Sequence, residues 1–447
     1  MTIALQDVAS AIGASTLAAS PAVSGWSVDS RTIQAGDLFF ALRGPNHDGH
    51  DFVADVFRRG AVAAVVDRPV DTAGALLPVN DSLAALQALA AWARNRWGGK
   101  VIGITGSAGK TTTKEIIASF LETEIPVGKS AGNLNNHVGL PLSILRLSGE
   151  SRAAVLEMAM NHAGEIRRLA GIARPDVGVV TNVGHAHAES FGSIDDIAAA
   201  KRELVEALPP AAVAVLNADD PRVSRFREIH PGPVVTFGFA EGADVCAETV
   251  EYSQDGARFR LSGSVELETP LTGRHGVMNV LAAIAVARVF GIPPERLRDA
   301  ARSLAPGKMR GERFTHAGVT VLNDCYNSNP EAVRAMIDVL RDIPARRRCA
   351  VLGEMLELGR WSEALHRGVG RYAAESGIHV LVGIRGAARH AIEEAVGAGL
   401  PDGAAYFFED PAEVGDFLRG LLREGDAVLF KGSRGTRVEL ALERFLK

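Results

Sequence analysis

The stretch Val101-Ile-Gly-Ile-Thr-Gly-Ser-Ala-Gly-Lys110-Thr-Thr-Thr113 runs from an apolar, strand-like segment through a glycine-rich turn into a helix-forming segment. Such a turn aims several backbone N–H groups and a helix N-terminus at one point, which favours an anion. Lys110 can neutralise terminal phosphate charge, and the hydroxyl of Thr111 can bind a magnesium ion. The stretch therefore predicts a nucleoside triphosphate site at the end of a buried strand. The other residues of the predicted loop are Thr105, Gly106, Ser107, Ala108, Gly109 and Thr112.

The glycine spacing of this turn is shorter than in the commonest P-loop. Ile104 stands where that pattern begins with glycine, and the form found here is Gly106-x-x-Gly109-Lys110-Thr111. The alternative interpretation is an ordinary strand-to-helix turn, because short glycine motifs also occur by chance. A strand before the turn and a helix after it favour the phosphate loop.

Length and composition indicate a globular protein of several domains. The chain has 447 residues, of which 47% are hydrophobic and 23% charged, and this length exceeds that of one ordinary core. A net charge of −5 gives no reason to expect nucleic acid as a partner. Three widely spaced cysteines indicate a reducing compartment, and no apolar run is long enough to span a membrane. We therefore expect a cytoplasmic protein without membrane insertion.

Glycine and proline breaks divide the chain into three predicted α/β domains. The first is small and ends in a helical stretch, Ser82–Trp97, with Ser82 as the predicted N-cap. Gly98-Gly99 and Pro306-Gly307 mark the boundaries. Beyond the first break, near-continuous apolar runs alternate with helical patterns, which predicts a central P-loop-type parallel sheet with helices on both faces and a C-terminal Rossmann-like α/β domain. The predicted domains are residues 1–97, 98–306 and 307–447.

Polar residues follow the predicted strands where each strand ends. Parallel sheets bind ligands beyond the carboxyl ends of their strands. Because the pattern recurs on two sheets, we expect a cleft shared by the second and third domains. These polar residues are Glu157, Asn161, His162, Asn182, His185, His187, Asp324, Tyr326, Asn327, Glu354, Lys431, Ser433 and Arg434.

Distinctive short segments, each of a different sequence, occur in all three predicted domains. They are Asp29–Arg31, Gly36–Gly44, His47–Phe52, Thr105–Thr112, Ala131–Asn136, Glu157–His162, Asn182–His187, Ala200–Glu203, Asp324–Pro330, Gly353–Gly359 and Lys431–Arg434. As an ordered set they resemble the Mur ligase family of bacterial cell-wall synthesis over essentially the whole chain. Residues 131–136, 324–330 and 353–359 are similar to the branch that adds D-alanyl-D-alanine.

The resemblance implies an ATP-dependent ligase with small-molecule substrates. ATP would phosphorylate the C-terminal carboxylate of UDP-N-acetylmuramoyl-tripeptide, and the amine of D-alanyl-D-alanine would attack the acyl phosphate, giving the pentapeptide, ADP and phosphate. Since this reaction brings a carboxylate up to a triphosphate, cationic groups are needed between the two anions. We expect a monomer. The alternatives are a sibling amide ligase, either another muramoyl-peptide ligase or a folylpolyglutamate synthetase, and a nucleotide-dependent switch.

The resemblance also implies two magnesium ions. Thr111 and Glu157 would hold one ion at the phosphates, and His187 would help hold the second near the incoming carboxylate. Lys201 would be carbamylated, which converts its positive charge into a carboxylate beside the second ion. Without the resemblance, Glu157 is a solvated strand-end carboxylate, His187 a loop histidine and Lys201 a surface lysine. A switch would need neither the first domain nor this second metal set.

Further binding residues are assigned by the same resemblance. Those for the uridine diphosphate part are Ser30, Arg31 and Arg43, with His47 and Asp48 close by. Those for the muramoyl-peptide or acyl-phosphate region are Asn133 and Asn136. Those near adenine or ribose are Asn279, Asp324 and Asn327. Those for the phosphates or the dipeptide carboxylate are Arg310, Lys431, Ser433 and Arg434. A basic residue on a surface is otherwise a solvated charge, and Lys308 is an alternative to Arg310 as the phosphate-facing residue.

Overall fold

The structure, a computed structural model, describes residues 2–15 and 21–447. Its N-terminal region contains an antiparallel pair, β1 and β2, and a parallel four-stranded sheet in the order β3-β4-β5-β6. The strands are β1 (Ile3–Ala4), β2 (Ala22–Val23), β3 (Gly25–Ser27), β4 (Asp37–Phe40), β5 (Ala63–Val66) and β6 (Leu76–Pro78). The helices are α1 (Leu5–Ile12), α2 (Val53–Arg58) and α3 (Ser82–Trp97).

Helix α3 has the predicted bounds, but the predicted N-cap was wrong. Asp81 is the cap, because its carboxylate accepts the backbone N–H of Ala84 at 2.8 Å. Ser82 is the first helical residue, and its hydroxyl is buried without a hydrogen-bond partner. Gly98 ends the helix in the left-handed conformation, where glycine carries no Cβ penalty.

The central sheet has nine strands in the order β15-β14-β13-β12-β11-β10-β7-β9-β8. Its strands are β7 (Lys100–Thr105), β8 (Val127–Lys129), β9 (Ala153–Glu157), β10 (Val177–Val180), β11 (Val213–Asn217), β12 (Val234–Gly238), β13 (Val245–Ser253), β14 (Gly256–Leu261) and β15 (Glu266–Thr269). Its helices are α4 (Lys110–Leu121), α5 (Gly139–Leu145), α6 (Glu165–Ala173), α7 (Ile194–Glu206), α8 (Gly273–Val289) and α9 (Arg298–Arg302).

This sheet is buried on both faces, as its continuous apolar runs predict. Val101 of β7 packs in one core with α6 and α7, while Ile102 and Ile104 pack in the other with α4 and α8. The strands from β8 to β13 pair in parallel. At the far edge β14 and β15 add an antiparallel extension that the sequence analysis did not predict.

The C-terminal sheet has six strands in the order β16-β17-β21-β18-β19-β20, and only β16 is antiparallel to its neighbour. The strands are β16 (Glu312–His316), β17 (Val319–Asp324), β18 (Arg348–Gly353), β19 (Val380–Ile384), β20 (Ala405–Phe408) and β21 (Ala427–Lys431). The helices are α10 (Pro330–Asp342), α11 (Ser362–Glu375), α12 (Ala388–Gly397), α13 (Pro411–Leu421) and α14 (Glu439–Phe445). Helices α10 and α11 pack on one face, and α13 and α14 on the other. The predicted α/β class is confirmed.

The carboxyl ends of the central and C-terminal strands face each other. Asn329, the N-cap of α10, lies with its side-chain amide 3.4 Å from the carbonyl of Ser107 in the central sheet's first loop. The carboxylate of Glu331 meets His185, which follows β10. No helix in residues 2–15 and 21–447 combines the length and apolar character needed to cross a lipid bilayer.

Candidate active site

The loop between β7 and α4 has a shape that only its two glycines allow. Gly106 has φ +153°, and a Cβ there would lie 1.8 Å from the hydroxyl of Thr181. Gly109 has φ +81°, and a Cβ there would lie 2.5 Å from the side-chain oxygen of Asn279. The chain then enters α4 at Lys110, so the free N–H groups of the helix start face the cleft. The loop therefore has the geometry of an anion site.

The end of β10 fixes the loop in place. Asn182 accepts the N–H of Ala108 at 2.8 Å and donates to the carbonyl of the same residue at 3.1 Å. The hydroxyl of Thr181 donates to that carbonyl at 2.7 Å. Ser107 bonds to the backbone of Gly184 through its hydroxyl, at 2.8 Å. These contacts hold the loop before any ligand binds, which lowers the entropy lost on binding.

Lys110 lies folded over the loop. Its ammonium donates to the carbonyl of Gly106 at 2.8 Å. Loss of solvent lowers the pKa of Lys110, the carboxylate of Glu157 raises it, and the guanidinium of Arg310 lowers it again. The result is a cation whose hydrogen bond is to a neutral group, and a phosphate would be a stronger partner.

Glu157 at the end of β9 lies between two side chains. One of its oxygens accepts the hydroxyl of Thr111 at 2.9 Å, and the other accepts the side-chain amide of Asn135 at 2.9 Å. Its backbone N–H donates to the hydroxyl of Ser130 at 3.2 Å. A carboxylate and a hydroxyl placed together at a phosphate loop are the oxygen ligands that magnesium prefers.

Lys201 is almost completely enclosed, with 2% of its surface exposed. Desolvation lowers its pKa well below the ordinary value, and repulsion from Lys110 lowers it further. The interpretation of Lys201 as a surface lysine was therefore wrong. Glu203, two residues on, accepts the N–H groups of Gly164 at 2.6 Å and Arg167 at 3.0 Å and so caps the start of α6. Lys201 is thus a buried lysine close enough to Lys110 to repel it, while Glu203 fixes the neighbouring helix.

One cleft of about 640 Å³ lies between the central and C-terminal sheets. Thr105 and Gly106 are buried and do not line the cleft, and Lys201, Ser433 and Arg434 also lie outside the lining. The predicted residues that line the cleft are Ser107, Ala108, Gly109, Lys110, Thr111, Thr112, Asn133, Asn136, Glu157, His187, Asn279, Arg310, Asp324, Asn327 and Lys431.

The C-terminal domain contributes charged and aromatic groups to this cleft. The guanidinium of Arg310 stacks 3.8 Å from the ring centre of Tyr326. Lys308 is exposed and does not line the cleft. The ammonium of Lys431 is buried and bonds to the carboxylate of Asp324 and, at 3.0 Å, to the carbonyl of Asn327. Lys431 therefore neutralises a residue of its own domain, and Arg310 is the cation that faces the loop.

Two histidines after β10 meet carboxylates of the C-terminal domain. His185 Nδ1 lies 2.6 Å from one oxygen of Glu331, and its backbone N–H donates to the other at 3.1 Å. His187 Nδ1 lies 2.6 Å from Glu357 Oε2. The contact with His187 lowers the pKa of Glu357, and that with His185 lowers the pKa of Glu331 against an opposing desolvation effect. The two domains are thus joined at the edge of the cleft.

The predicted residues of the N-terminal domain and of the last strand end have local partners. Arg31 pairs with Asp29 at 2.6 Å and Arg43 with Asp67 at 2.6 Å. Asp48 accepts the ring N–H of His50 at 2.6 Å. Ser433 accepts the N–H of Leu356 at 2.9 Å, and Arg434 donates to Glu439 at 3.0 Å. Of the remaining predicted residues, Ser30 starts a short 3-10 helix and His47 is exposed.

Several side chains of the cleft had no predicted role. Asn135 lies between Asn133 and Asn136, which were assigned to substrate binding. Only its hydrogen bond to Glu157, seen in the structure, distinguishes its role from theirs. The strand-end pattern included Asn182 and Tyr326 without giving them a task. His275 lines the cleft; desolvation lowers its pKa, Asp324 raises it and Lys431 lowers it. No local signal identifies Glu331 or Glu357, since both meet residues far away along the chain.

A phosphate loop that faces a second α/β domain across one cleft fits an ATP-dependent ligase, and the comparisons with known proteins identify that class. Three family domains match the chain in order: "Mur ligase family, catalytic domain" at residues 22–137, "Mur ligase middle domain" at 104–287, and "Mur ligase, glutamate ligase domain" at 309–434. The chain belongs to the Mur ligase family, and the resemblance found in its sequence is confirmed.

Relatives match at full length. The UDP-N-acetylmuramoyl-tripeptide–D-alanyl-D-alanine ligase of Bacillus subtilis is 36% identical over 434 residues, which cover 93% of this chain and 92% of that protein. MurF from Acinetobacter baumannii has a TM-score of 0.93 at 32% identity, covering 100% of this chain and 99% of that one. MurF ligase from Thermotoga maritima in complex with ADP has a TM-score of 0.85 at 30% identity, covering 95% and 97%.

Proposed function

We propose that the protein joins D-alanyl-D-alanine to UDP-N-acetylmuramoyl-tripeptide at the expense of ATP, giving UDP-N-acetylmuramoyl-pentapeptide, ADP and phosphate. The observation that carries this proposal is the full-length match to bacterial ligases of that name. The cleft supports it, because one wall carries a phosphate loop and the other belongs to a separate domain that can bring the amine.

ATP would bind with its terminal phosphates over the loop. The N–H groups at the start of α4 and the ammonium of Lys110 would neutralise the phosphate charge. Arg310 would approach from the C-terminal domain and act on the charge that develops during transfer. The tripeptide carboxylate takes the phosphoryl group, and the amine of D-alanyl-D-alanine then displaces phosphate from the acyl phosphate. Positioning supplies most of the catalysis, because the reactants carry the reactive groups. By resemblance, Asn279, Asp324 and Asn327 would lie near adenine and ribose.

The residues present fit magnesium. Thr111 and Glu157 place a hydroxyl and a carboxylate 2.9 Å apart beside the loop, and His187 lines the same cleft. The described parts of the chain contain no cluster of three or more His, Cys, Asp or Glu side chains suited to a metal. Magnesium, when bound, would polarise the phosphoryl oxygens.

Lys201 would provide a carboxylate for the second ion after reaction with carbon dioxide. Carbamylation needs a neutral amine, and the enclosure of Lys201 lowers its pKa in the direction that supplies one. The modification also removes the repulsion between Lys201 and Lys110, since it changes a buried cation into an anion. Both effects support the assignment made by resemblance.

The N-terminal domain would hold the uridine diphosphate part through Ser30, Arg31 and Arg43, since the planar fork of arginine suits a diphosphate. Asn133 and Asn136 would contact the muramoyl-peptide, and Ser433 and Arg434 the dipeptide carboxylate. We expect a cytoplasmic monomer, in line with the three free, buried cysteines.

The test is a substrate panel with the purified protein, ATP and UDP-N-acetylmuramoyl-tripeptides carrying lysine or diaminopimelate. Phosphate release should rise with D-alanyl-D-alanine and not with D-alanine, D-glutamate or diaminopimelate alone, and mass spectrometry should find the pentapeptide. An oxygen-18 label in the tripeptide carboxylate should appear in released phosphate. Stimulation by a single amino acid would favour a sibling ligase, and the absence of labelled phosphate would exclude the acyl-phosphate route.

A further inference from the structure

The segment that carries His187 packs directly against a segment of the C-terminal domain. Glu189 donates its backbone N–H to the carbonyl of Glu357 at 2.9 Å, and the guanidinium of Arg360 donates to the carbonyl of Gly192. A Cβ on Gly359 would lie 2.8 Å from the Cα of Glu189. The two backbones therefore meet in one defined arrangement, without room for an intervening side chain.

Each segment holds a non-glycine residue in the left-handed conformation. His187 has φ +59° and Glu357 has φ +63°. Such conformations are unfavourable for residues with a Cβ and persist only where their surroundings hold them. They are also the two residues whose side chains meet, with His187 Nδ1 2.6 Å from Glu357 Oε2. Both unusual conformations thus serve the same contact.

Nδ1 of His187 faces this carboxylate at close range but without the alignment of a hydrogen bond, and the other ring nitrogen, Nε2, remains for a ligand in the cleft that His187 lines. Metal-binding histidines usually give their second ring nitrogen to a carboxylate or carbonyl, which fixes the ring and raises its basicity. Here the carboxylate that would serve this purpose belongs to a different domain from the imidazole.

We propose that Glu357 is a positioning residue that orients the imidazole of His187 for a divalent cation, so that docking of the C-terminal domain completes a ligand of the central domain. The inference rests on the proposed function, in which His187 helps hold the second magnesium ion. It assigns Glu357 a role beyond domain docking. Arg360 also docks the same two segments, through its bond to Gly192, and has no such role.

Mn²⁺ is the probe for this role. The wild-type protein, saturated with a non-hydrolysable ATP analogue and UDP-N-acetylmuramoyl-tripeptide, would be titrated with Mn²⁺ and followed by electron paramagnetic resonance, with electron spin echo modulation reporting nitrogen coupling from a bound imidazole. Glu357→Ala should weaken binding of the second Mn²⁺ by about 10- to 100-fold and reduce the nitrogen modulation. Glu357→Gln, which keeps an oxygen at the same place, should lie between it and the wild type.

Two further variants separate the possible outcomes. His187→Ala should abolish the nitrogen modulation, and Arg360→Ala should lower modulation and Mn²⁺ affinity less than Glu357→Ala does, because the backbone bond from Glu189 to Glu357 still docks the two segments. Wild-type behaviour of Glu357→Ala beside a loss in His187→Ala would overturn the role of Glu357 alone. Equal losses in Glu357→Ala and Arg360→Ala would also overturn it, because docking would then account for the effect. Modulation absent from the wild type would remove the proposed His187 ligation and this inference with it.

Discussion

Basic residues of the central cleft and of the N-terminal domain are held in opposite ways. Within the described residues, Lys110 and Lys201 form no ion pair, although both lose solvent and Lys201 is almost fully buried. Arg31 and Arg43 each pair with an aspartate at 2.6 Å and remain largely exposed. A buried charge that lacks an ion-pair partner is unfavourable until a ligand or a modification supplies one.

This difference separates two kinds of contribution to the reaction. The central cleft is arranged in advance for anions, so its cations should act most strongly on the transition state. The N-terminal arginines already have aspartate partners when no substrate is bound. Binding gains only the difference in interaction energy between a diphosphate and an aspartate partner, so these arginines should act on substrate affinity. Mutations in the two regions therefore test the comparison directly.

The largest effect is expected at Lys110. Lys110→Ala should lower kcat by about 1000-fold, because it removes the partly buried cation at the transferring phosphate, while the UDP-substrate still binds. Phosphate release and calorimetric titration of the substrate measure the two quantities. Lys100→Ala, at the exposed start of the same strand, is the control and should retain wild-type kcat. Full activity of Lys110→Ala would remove the phosphate role of the loop.

Lys201→Ala should lower kcat by about 100-fold, because the carboxylate that carbamylation supplies is lost. An added short carboxylic acid such as acetate should restore part of the activity. Arg202→Ala changes the next residue on the same helix, which is partly exposed and pairs with Glu206 at 2.8 Å, and should change little. Wild-type activity of Lys201→Ala would exclude the carbamate and leave Lys201 as a packing residue.

The local sequence predicted the surroundings of Lys110 more fully than those of Lys201. The phosphate loop forms from consecutive residues, so the order of its glycines and Lys110 along the chain is enough to predict it. The enclosure of Lys201 results from helix packing, so its residue type alone indicated a surface position. Lys431 could not be predicted from local sequence either, because its charge is neutralised by Asp324 on the neighbouring strand.

The fold shows a similar division. Strands buried on both faces were predicted from continuous apolar runs, and β10 begins and ends where its run does. The antiparallel strands β14 and β15 escaped prediction because their apolar and polar residues alternate, as in a sheet with one solvated face. Glu331 and Glu357 gain their partners only when the C-terminal domain docks, which no local pattern encodes.

A smaller effect is expected in the N-terminal domain. Arg31→Ala should raise KM for the UDP-substrate about tenfold and leave kcat within about twofold, because the side chain is exposed and already paired. Steady-state kinetics with varied UDP-substrate measures both constants. Arg58→Ala, another exposed arginine of this domain paired with an aspartate, should change neither. A kcat loss like that of Lys110→Ala would erase the distinction between the two regions.

The smallest effect concerns stability. Desolvation raises the pKa of Asp48, but the N–H groups of His50 and the nearby charge of Arg68 lower it to about 2. A carboxyl whose folded pKa is depressed stabilises the protein above its unfolded pKa, and this contribution disappears as the pH falls from about 4 towards 2. Since Asp48 is partly exposed, Asp48→Asn should cost only about 1 kcal/mol at pH 7.

Hydrogen exchange of peptides covering residues 48–67 measures this difference locally, because a protein of several domains need not unfold in one step. Protection should fall about fivefold in Asp48→Asn at pH 7 and match the wild type near pH 2. Asp51→Asn removes a different partner of the same arginine, at 2.7 Å, and should have the weaker effect because Asp51 is exposed. If Asp48→Asn instead raises KM with protection unchanged, Asp48 acts on the UDP-substrate as the sequence predicts, and the N-terminal charges are less self-contained than their ion pairs indicate.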